Sequence, residues 1–119
     1  MMNSESLPIY IETYRFIQEI FRCTVKFPKE YKYMLGNGLN EHALNLCCLI
    51  SKANHQENKL PLLEEFFSEL ERVKLQLRLC VDFKLLSCTQ QAQLACDLEQ
   101  ITSQILAWIK SERRKQKMP

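Results

Sequence analysis

The stretch LPLLEEFFSELERVKLQLRLCVDFKLL, residues 60–86, decides the fold of this chain. Its apolar residues recur at intervals of three and four, which is the period of one face of an α-helix. That face consists of Leu63, Phe66, Leu70, Val73, Leu77 and Cys80. The second half also alternates like a strand from Leu75 to Leu85, but a lone strand would have no partner for its backbone. The pattern therefore predicts one long helix over residues 60–86.

Two apolar stripes run along this predicted helix. One stripe consists of Leu75, Leu79, Phe83 and Leu86. The other, on roughly the opposite side, consists of Leu70, Val73, Leu77, Val81 and Leu85. One stripe fills the core, and the other must be covered by a neighbouring helix of the same chain or by another subunit. The doubled apolar face favours an oligomer, and it makes the first stripe the candidate oligomer interface.

The segment over residues 8–24 also has the helical period. Pro8 fits the first turn of a helix, where its missing N–H would have no partner in any case. The apolar face consists of Tyr10, Tyr14, Ile17 and Phe21, and it is widened by Ile9, Phe16 and Ile20. The pattern stops at Thr24, and Pro28 marks the break after it. We expect a helix over residues 8–24.

Two further helices are predicted, over residues 29–54 and 88–112. The first is indicated by Leu39, Ala43, Leu46, Ile50 and Ala53. Within it, Gly36-Asn37-Gly38 is typical of a turn and leaves the continuity of the helix open; in a continuous helix the glycines would permit close approach by a neighbouring backbone. The second is indicated by Leu94, Leu98, Ile101, Ile105 and Trp108. Ser87 with Gln90 fits a capping box at its start, and residues 113–119 follow as a basic tail.

Four long helices joined by short connections predict an all-α fold, an up-down-up-down four-helix bundle. With 119 residues, we expect a single domain over residues 1–119. No stretch approaches the ~20 consecutive apolar residues of a membrane-spanning helix. The start of the chain, residues 1–6, has no basic segment followed by an apolar block. We therefore expect a cytoplasmic protein without membrane contact.

Six cysteines lie in these apolar segments, at positions 23, 47, 48, 80, 88 and 96. No pair has the C-x-x-C spacing of a zinc or redox motif, and Cys47 and Cys48 would point about 100° apart on a helix. We interpret the cysteines as small buried hydrophobic residues. The alternative is a metal site in which a cysteine joins His42 or His55.

Enzyme signatures are missing from the sequence. There is no phosphate-binding glycine loop, nucleophile elbow or H-E-x-x-H motif, and no nucleophile is placed by spacing beside either histidine. Glu64, Glu65, Glu69 and Glu71 lack the Glu-x-x-His pairs of a di-iron bundle, so we interpret them as a solvated face. We expect a protein that binds partners, without catalytic residues, cofactor or metal ion.

The net charge of +2 hides an uneven distribution. Residues 110–119 hold five basic and one acidic side chain, and residues 15–32 hold five basic and two acidic. In the second cluster, lysines are interleaved with Phe27, Tyr31 and Tyr33, a pattern that could hold phosphates by charge and stack bases on rings. The alternative is that the rings anchor the loop to the core and the lysines are solvated. The basic tail is likewise either a frayed solubilising end or a flexible nucleic-acid arm.

Four stretches of the sequence carry a family resemblance. The most specific is KFPKEYKYMLG at residues 26–36, followed by ALNL at residues 43–46, LQLRLCVDFKLLS at residues 75–87 and ILAWI at residues 105–109. Over about residues 7–110 the chain resembles the accessory variability determinant (Avd-like) family of diversity-generating retroelements. That family is related to the four-helix-bundle proteins of 23S ribosomal RNA intervening sequences, but this chain lacks the Asn-Ile-Ala-Glu-Gly type motif of that branch.

The resemblance implies a protomer of a homopentameric barrel, with a continuous second helix. It also implies an accessory protein that binds the reverse transcriptase and its template RNA, or DNA, and supports mutagenic complementary-DNA synthesis. The candidate contacts to nucleic acid or polymerase are Arg15, Arg22, Lys26, Lys29, Lys32, Arg72, Arg78, Arg113 and Arg114. The alternative function is a stand-alone interaction protein of the intervening-sequence type, with no polymerase partner.

Overall fold

The computed structural model describes residues 3–118, which form four long helices and contain no strand. The helices are α1 (Pro8–Thr24), α2 (29–54), α3 (Leu60–Asp82) and α4 (Cys88–Lys117). A short 3-10 turn, Ser4–Ser6, precedes α1. The predicted all-α fold of four helices is confirmed. Among these helices, none is both long and apolar enough to cross a membrane.

Each helix packs mainly against the two helices beside it. The main contacts join α1 to α2, α2 to α3, α3 to α4, and α4 back to α1. This places α1 diagonally opposite α3, and the short connections make consecutive helices antiparallel. The bundle measures 54 × 21 × 20 Å. Side chains from all four helices fill its centre, among them Phe16, Ile20, Leu46, Ile50, Phe66, Leu70, Ile101 and Ile105.

The inner face of α1 differs from the predicted one. Tyr14 and Phe21, which the periodicity assigned to it, are 51% and 39% exposed. The buried face is instead centred on Phe16 and Ile20, both with no exposed surface. At 100° per residue, Tyr14 and Phe21 lie outside a face with that centre. The prediction located the helix correctly but rotated its apolar face.

Helix α2 is continuous through the glycine pair. It begins with Lys29–Tyr31, passes through a π-helical turn at Lys32–Gly36, and continues as Asn37–Asn54. A Cβ atom at Gly36 would lie 3.4 Å from Phe27 Cδ2 and 3.6 Å from Thr24 Cβ, which are ordinary contact distances to side chains. The backbone φ of −61° also suits any residue. The expected close approach by a neighbouring backbone is therefore wrong for Gly36.

Helix α3 ends at Asp82, four residues before its predicted end. The chain then turns through Lys84, whose φ is 60°. The Lys84 N–H donates to the Val81 carbonyl and the Leu85 N–H to the Cys80 carbonyl, both at 2.9 Å. These two hydrogen bonds form a Schellman motif, which satisfies carbonyl groups at the helix end and reverses the chain.

Helix α4 begins at the predicted capping box and extends beyond its predicted end. The Gln90 N–H donates to Ser87 Oγ at 3.1 Å, and the Ser87 N–H donates to Gln90 Oε1 at 2.9 Å, so the capping box is confirmed. The helix runs to Lys117, so residues 113–117 of the predicted tail are helical. Arg113 pairs with Glu64 at 3.1 Å and ties this end to α3. Residues 1, 2 and 119, included in the predicted domain, lie outside the described part.

The cysteines divide into a buried and an exposed group. Cys23, Cys47 and Cys80 are buried, and burial is the main cause of their raised pKa values, about 12 for Cys47 and about 11 for Cys80. The exposed ones are Cys48, Cys88 and Cys96. The interpretation of all six as buried is therefore wrong for three. Within residues 3–118, no three potential metal ligands lie together.

Candidate nucleic-acid interface

One end of the bundle gathers four of the predicted basic residues. At this end α1 finishes and α2 begins, joined by residues 25–28. Arg22 lies in the last turn of α1, Lys26 in the connection, and Lys29 and Lys32 in the first turns of α2. All four side chains are exposed. We call these four residues the basic end.

The lysines of the basic end are not neutralised by neighbouring side chains. Lys26, Lys29 and Lys32 form no side-chain ion pair within residues 3–118, whereas Arg22 pairs with Glu19 at 3.2 Å. The Arg22 side chain remains 66% exposed in that pair, and exposed ion pairs contribute at most ~1 kcal/mol. The basic end therefore presents three uncommitted positive charges and a fourth that a stronger anion can recruit.

The aromatic residues near the basic end have two different roles. Phe27 is 5% exposed and belongs to the core, and Tyr31 is half-buried with its ring centre 5.5 Å from that of Phe83. These two rings anchor the connection, as the alternative predicted. Tyr33 is 82% exposed and Met34 is 79% exposed, so they do not anchor it. An exposed ring beside free lysines is the combination that proteins use to stack bases of single-stranded nucleic acids.

The π-helical turn accounts for the exposure of Tyr33 and Met34. In a π turn each backbone hydrogen bond joins residues five positions apart, so the turn is wider than a turn of an α-helix. Tyr31 and Gly36, five residues apart, both lie on the inner side. Lys32, Tyr33 and Met34 between them project into solvent. Such turns are rare and occur frequently at functional sites.

Two shallow clefts border Lys32. One, of about 490 Å³, lies between α1 and α2 and is lined in part by Arg22 and Val25. The other, of about 530 Å³, lies beside Lys29 and Tyr33. Both clefts also include Lys32, so they form one continuous surface. This surface offers cationic side chains for phosphates and an exposed ring for a base.

The remaining predicted basic residues lie elsewhere on the molecule. Arg15 is on the outer face of α1, two turns before the basic end. Arg78 lines a groove between α3 and α4. Arg113 and Arg114 are at the opposite end of the bundle. The structure therefore brings four of the nine predicted contacts together and disperses the others.

Arg72 belongs to a polar network between α2 and α3. Its NH1 atom lies 3.4 Å from His42 Nε2, and its Nε atom lies 3.6 Å from Glu69 Oε1. The Asn45 amide donates to Glu69 Oε2 at 2.7 Å. The Glu69 side chain is only 13% exposed, so its interpretation as part of a solvated face is wrong. Arg72 therefore stabilises the contact between two helices.

Three of the four predicted oligomer-interface residues are exposed. On the outer face of α3, Leu75, Leu79 and Phe83 are 59%, 39% and 51% exposed. Leu86 is 7% exposed and packs in the core of its own chain, so it is not part of the exposed stripe, and the oligomer interface stays a prediction. The chain reverses after Asp82 and carries Leu86 away from the helical stripe. Next to Leu75, a groove of about 450 Å³ runs between α3 and α4.

Helix α1 carries an exposed apolar stripe that the sequence analysis missed. Ile11, Tyr14, Phe21 and Val25 are 42%, 51%, 39% and 63% exposed. With Gln18 between them, these residues follow a spacing of three, four, three and four, which defines one helix face. This spacing is visible in the sequence and could have predicted the exposed stripe. The sequence analysis did not identify the stripe, because it placed Tyr14 and Phe21 on the inner face of the helix.

The chain matches a known protein family over most of its length. The sequence profile of the bAvd-like family matches residues 9–112, which include the basic end and the outer faces of α1 and α3. No curated protein sequence matches the chain. The family match agrees with the Avd-like resemblance of the sequence. The chain therefore belongs to the bAvd-like family, a family of accessory, non-catalytic proteins.

Proposed function

We propose that this protein is an accessory subunit of a diversity-generating retroelement, which binds the reverse transcriptase and the template RNA and supports mutagenic complementary-DNA synthesis. Family membership supports the accessory role. The observation that carries the RNA contact is the basic end, where three lysines have no ion-pair partner in the described residues and two of them, Lys29 and Lys32, line a cleft with the exposed ring of Tyr33. In this proposal the protein acts in the cytoplasm.

The RNA strand lies across the cleft that is lined by Lys29, Lys32 and Tyr33. Lys29 and Lys32 contact successive phosphates, while Tyr33 stacks one base, a contact that contributes ~1–3 kcal/mol in other single-strand binders. One such patch binds weakly. In the homopentamer that the resemblance implies, five basic ends act together, and linked weak sites raise the overall affinity without new contacts.

Affinity purification from cells that carry the retroelement tests both partners. We expect the reverse transcriptase and the template RNA to co-purify with the wild-type protein, and the polymerase to remain bound after ribonuclease treatment. The variant Lys29→Glu/Lys32→Glu should recover at least ~10-fold less RNA. The control Lys52→Glu/Lys110→Glu makes the same charge change at exposed positions elsewhere and should recover a normal amount. Recovery of neither partner by the wild-type protein would contradict the proposal.

The genomic neighbourhood separates this role from that of a stand-alone interaction protein of the 23S ribosomal RNA intervening-sequence type. A reverse-transcriptase gene with paired variable and template repeats nearby is expected for the retroelement role. A gene inside a ribosomal RNA intervening sequence would contradict it.

A further inference from the structure

Two exposed apolar faces lie on opposite sides of the bundle. One is the outer stripe of α1, formed by Ile11, Tyr14, Phe21 and Val25. The other is the outer face of α3 around Leu75 and Leu79. Because α1 and α3 are diagonally opposite, the two faces point in opposite directions. Paired apolar surfaces of this kind are typical of proteins that contact other proteins.

Charged residues follow a fixed order beside the α1 stripe. At 100° per residue, Arg15 and Arg22 lie about 60–80° from the centre of the stripe, and Glu12 and Glu19 about 120–140° from it on the same side. That side faces α4, because Glu12 and Glu19 add to the pKa increase that burial causes at Asp97 of α4. From the stripe towards α4, the order is therefore apolar, basic, acidic.

The outer face of α3 has the opposite order. Glu71 and Asp82 lie about 20–40° from Leu75, and Lys74 and Arg78 about 60–100° from it on the same side. Lys74 and Arg78 line the groove between α3 and α4, so that side also faces α4. From the stripe towards α4, the order is apolar, acidic, basic. Within residues 3–118, none of these four charged side chains has an ion-pair partner.

The two orders are complementary when α1 of one copy runs parallel to α3 of another. Within one chain α1 and α3 already run in the same direction, as alternate helices of an antiparallel bundle do. A rotation that relates two copies about an axis parallel to the long axis of the bundle preserves the direction of both helices. It also places the α4 side of one face next to the α4 side of the other. In this arrangement the apolar stripes meet. The basic residues beside the α1 stripe, Arg15 and Arg22, then face the acidic residues beside the α3 face, Glu71 and Asp82.

We propose that copies of this chain associate head to tail, with the outer face of α1 in one copy packed in parallel against the outer face of α3 in the next. A contact between two different faces builds a ring when the rotation closes. The inference rests on the proposed homo-oligomer and names its surfaces, and it involves neither RNA nor polymerase. Three predicted contacts to nucleic acid or polymerase, Arg15, Arg22 and Arg78, then face a second copy. The RNA contact at the basic end is therefore left to its three lysines.

Light scattering on purified variants tests the inference in the absence of RNA. Tyr14→Glu places a charge in the α1 stripe and Leu75→Glu places one in the α3 face; both positions are more than half exposed, so the fold should survive, as circular dichroism can verify. Each variant alone should have the mass of one protomer, 14.1 kDa. An equimolar mixture should have twice that mass, because one intact α1 face then meets one intact α3 face. The control Leu106→Glu, at an exposed leucine of α4, should keep the wild-type mass.

Every other outcome contradicts a specific part of the proposed assembly. A wild-type protein with the mass of one protomer overturns the homo-oligomer itself. A wild-type oligomer whose mass neither variant changes overturns the choice of surfaces and leaves the homo-oligomer standing. Assembly of Tyr14→Glu alone, with loss only in Leu75→Glu, shows a contact between two α3 faces and overturns the head-to-tail arrangement. A mixture that stays at the mass of one protomer overturns it as well.

Discussion

Neutralising the three free lysines of the basic end should reduce the salt dependence of RNA binding by a defined amount. The variant is Lys26→Gln/Lys29→Gln/Lys32→Gln. Each lysine that neutralises a phosphate of a single strand contributes about 0.7 to the slope of log affinity against log salt concentration. All three side chains are exposed and lack ion-pair partners in the described residues, so each is available to a phosphate. The slope should therefore decrease by about 2. Because 1 M and 0.1 M salt differ by one decade, the loss of affinity relative to the wild-type protein should be ~100-fold larger at about 0.1 M than at about 1 M.

Fluorescence anisotropy with a short labelled single-stranded RNA measures this slope across a salt series. The control is Lys52→Gln/Lys110→Gln/Lys117→Gln, which removes the same charge from exposed positions outside the basic end. Its slope should match that of the wild-type protein. An unchanged slope in the first variant, with a reduced slope in the control, would refute the reasoning and place the RNA contact near the end of α4.

Three further predictions concern the fold. Lys59 Nζ donates to the carbonyl groups of Ala53, Asn54 and Gln56 at 3.1, 3.0 and 2.7 Å. Lys59→Met should therefore lower the free energy of unfolding in urea by about 1–2 kcal/mol. A loss no larger than that of Lys52→Met would show that these hydrogen bonds do not stabilise the end of α2. Lys84→Gly should raise the free energy of unfolding by about 1 kcal/mol, because glycine adopts a φ near 60° without strain. A free energy of unfolding below that of the wild-type protein would contradict the positive φ at residue 84. A thiol reagent at about pH 8 should label three of the six cysteines quickly and the buried three only on unfolding, since their raised pKa keeps them protonated; fast labelling of all six would argue against the packing.

Periodicity located the helices better than it located their faces. Helix α1 is apolar on two sides, so Tyr14 and Phe21 fit a helical spacing as well as Phe16 and Ile20 do. Hydrophobicity alone does not distinguish a stripe that packs in the core from one that stays exposed. Only the positions of α2 and α4 against α1 decide which stripe is inside.

The ends of α3 and α4 depend on contacts that local patterns do not contain. The turn after α3 uses Lys84 in a conformation that usually indicates glycine, so the sequence offered no stop signal there. The extension of α4 involves Arg113 and Glu64, which are far apart in the chain. Leu86 is buried for a similar reason, because the turn folds it back onto the core.

The candidate site was partly visible in the sequence because its basic residues lie within eleven positions of the chain, 22–32. The different exposure of Phe27, Tyr31 and Tyr33 was not visible, since it depends on the π-helical turn and on Phe83 of another helix. The groove beside Leu75 joins residues of α3 and α4, so no single segment could reveal it.

Ultraviolet crosslinking of single-stranded RNA to the protein, followed by mass spectrometry, locates the RNA contact directly. We predict crosslinks within residues 22–34, with Tyr33 as the main site, and their loss in Tyr33→Ala under conditions where Leu106→Ala still crosslinks. Crosslinks confined to residues 110–118, with none at the basic end, would contradict binding of RNA at this end of the bundle.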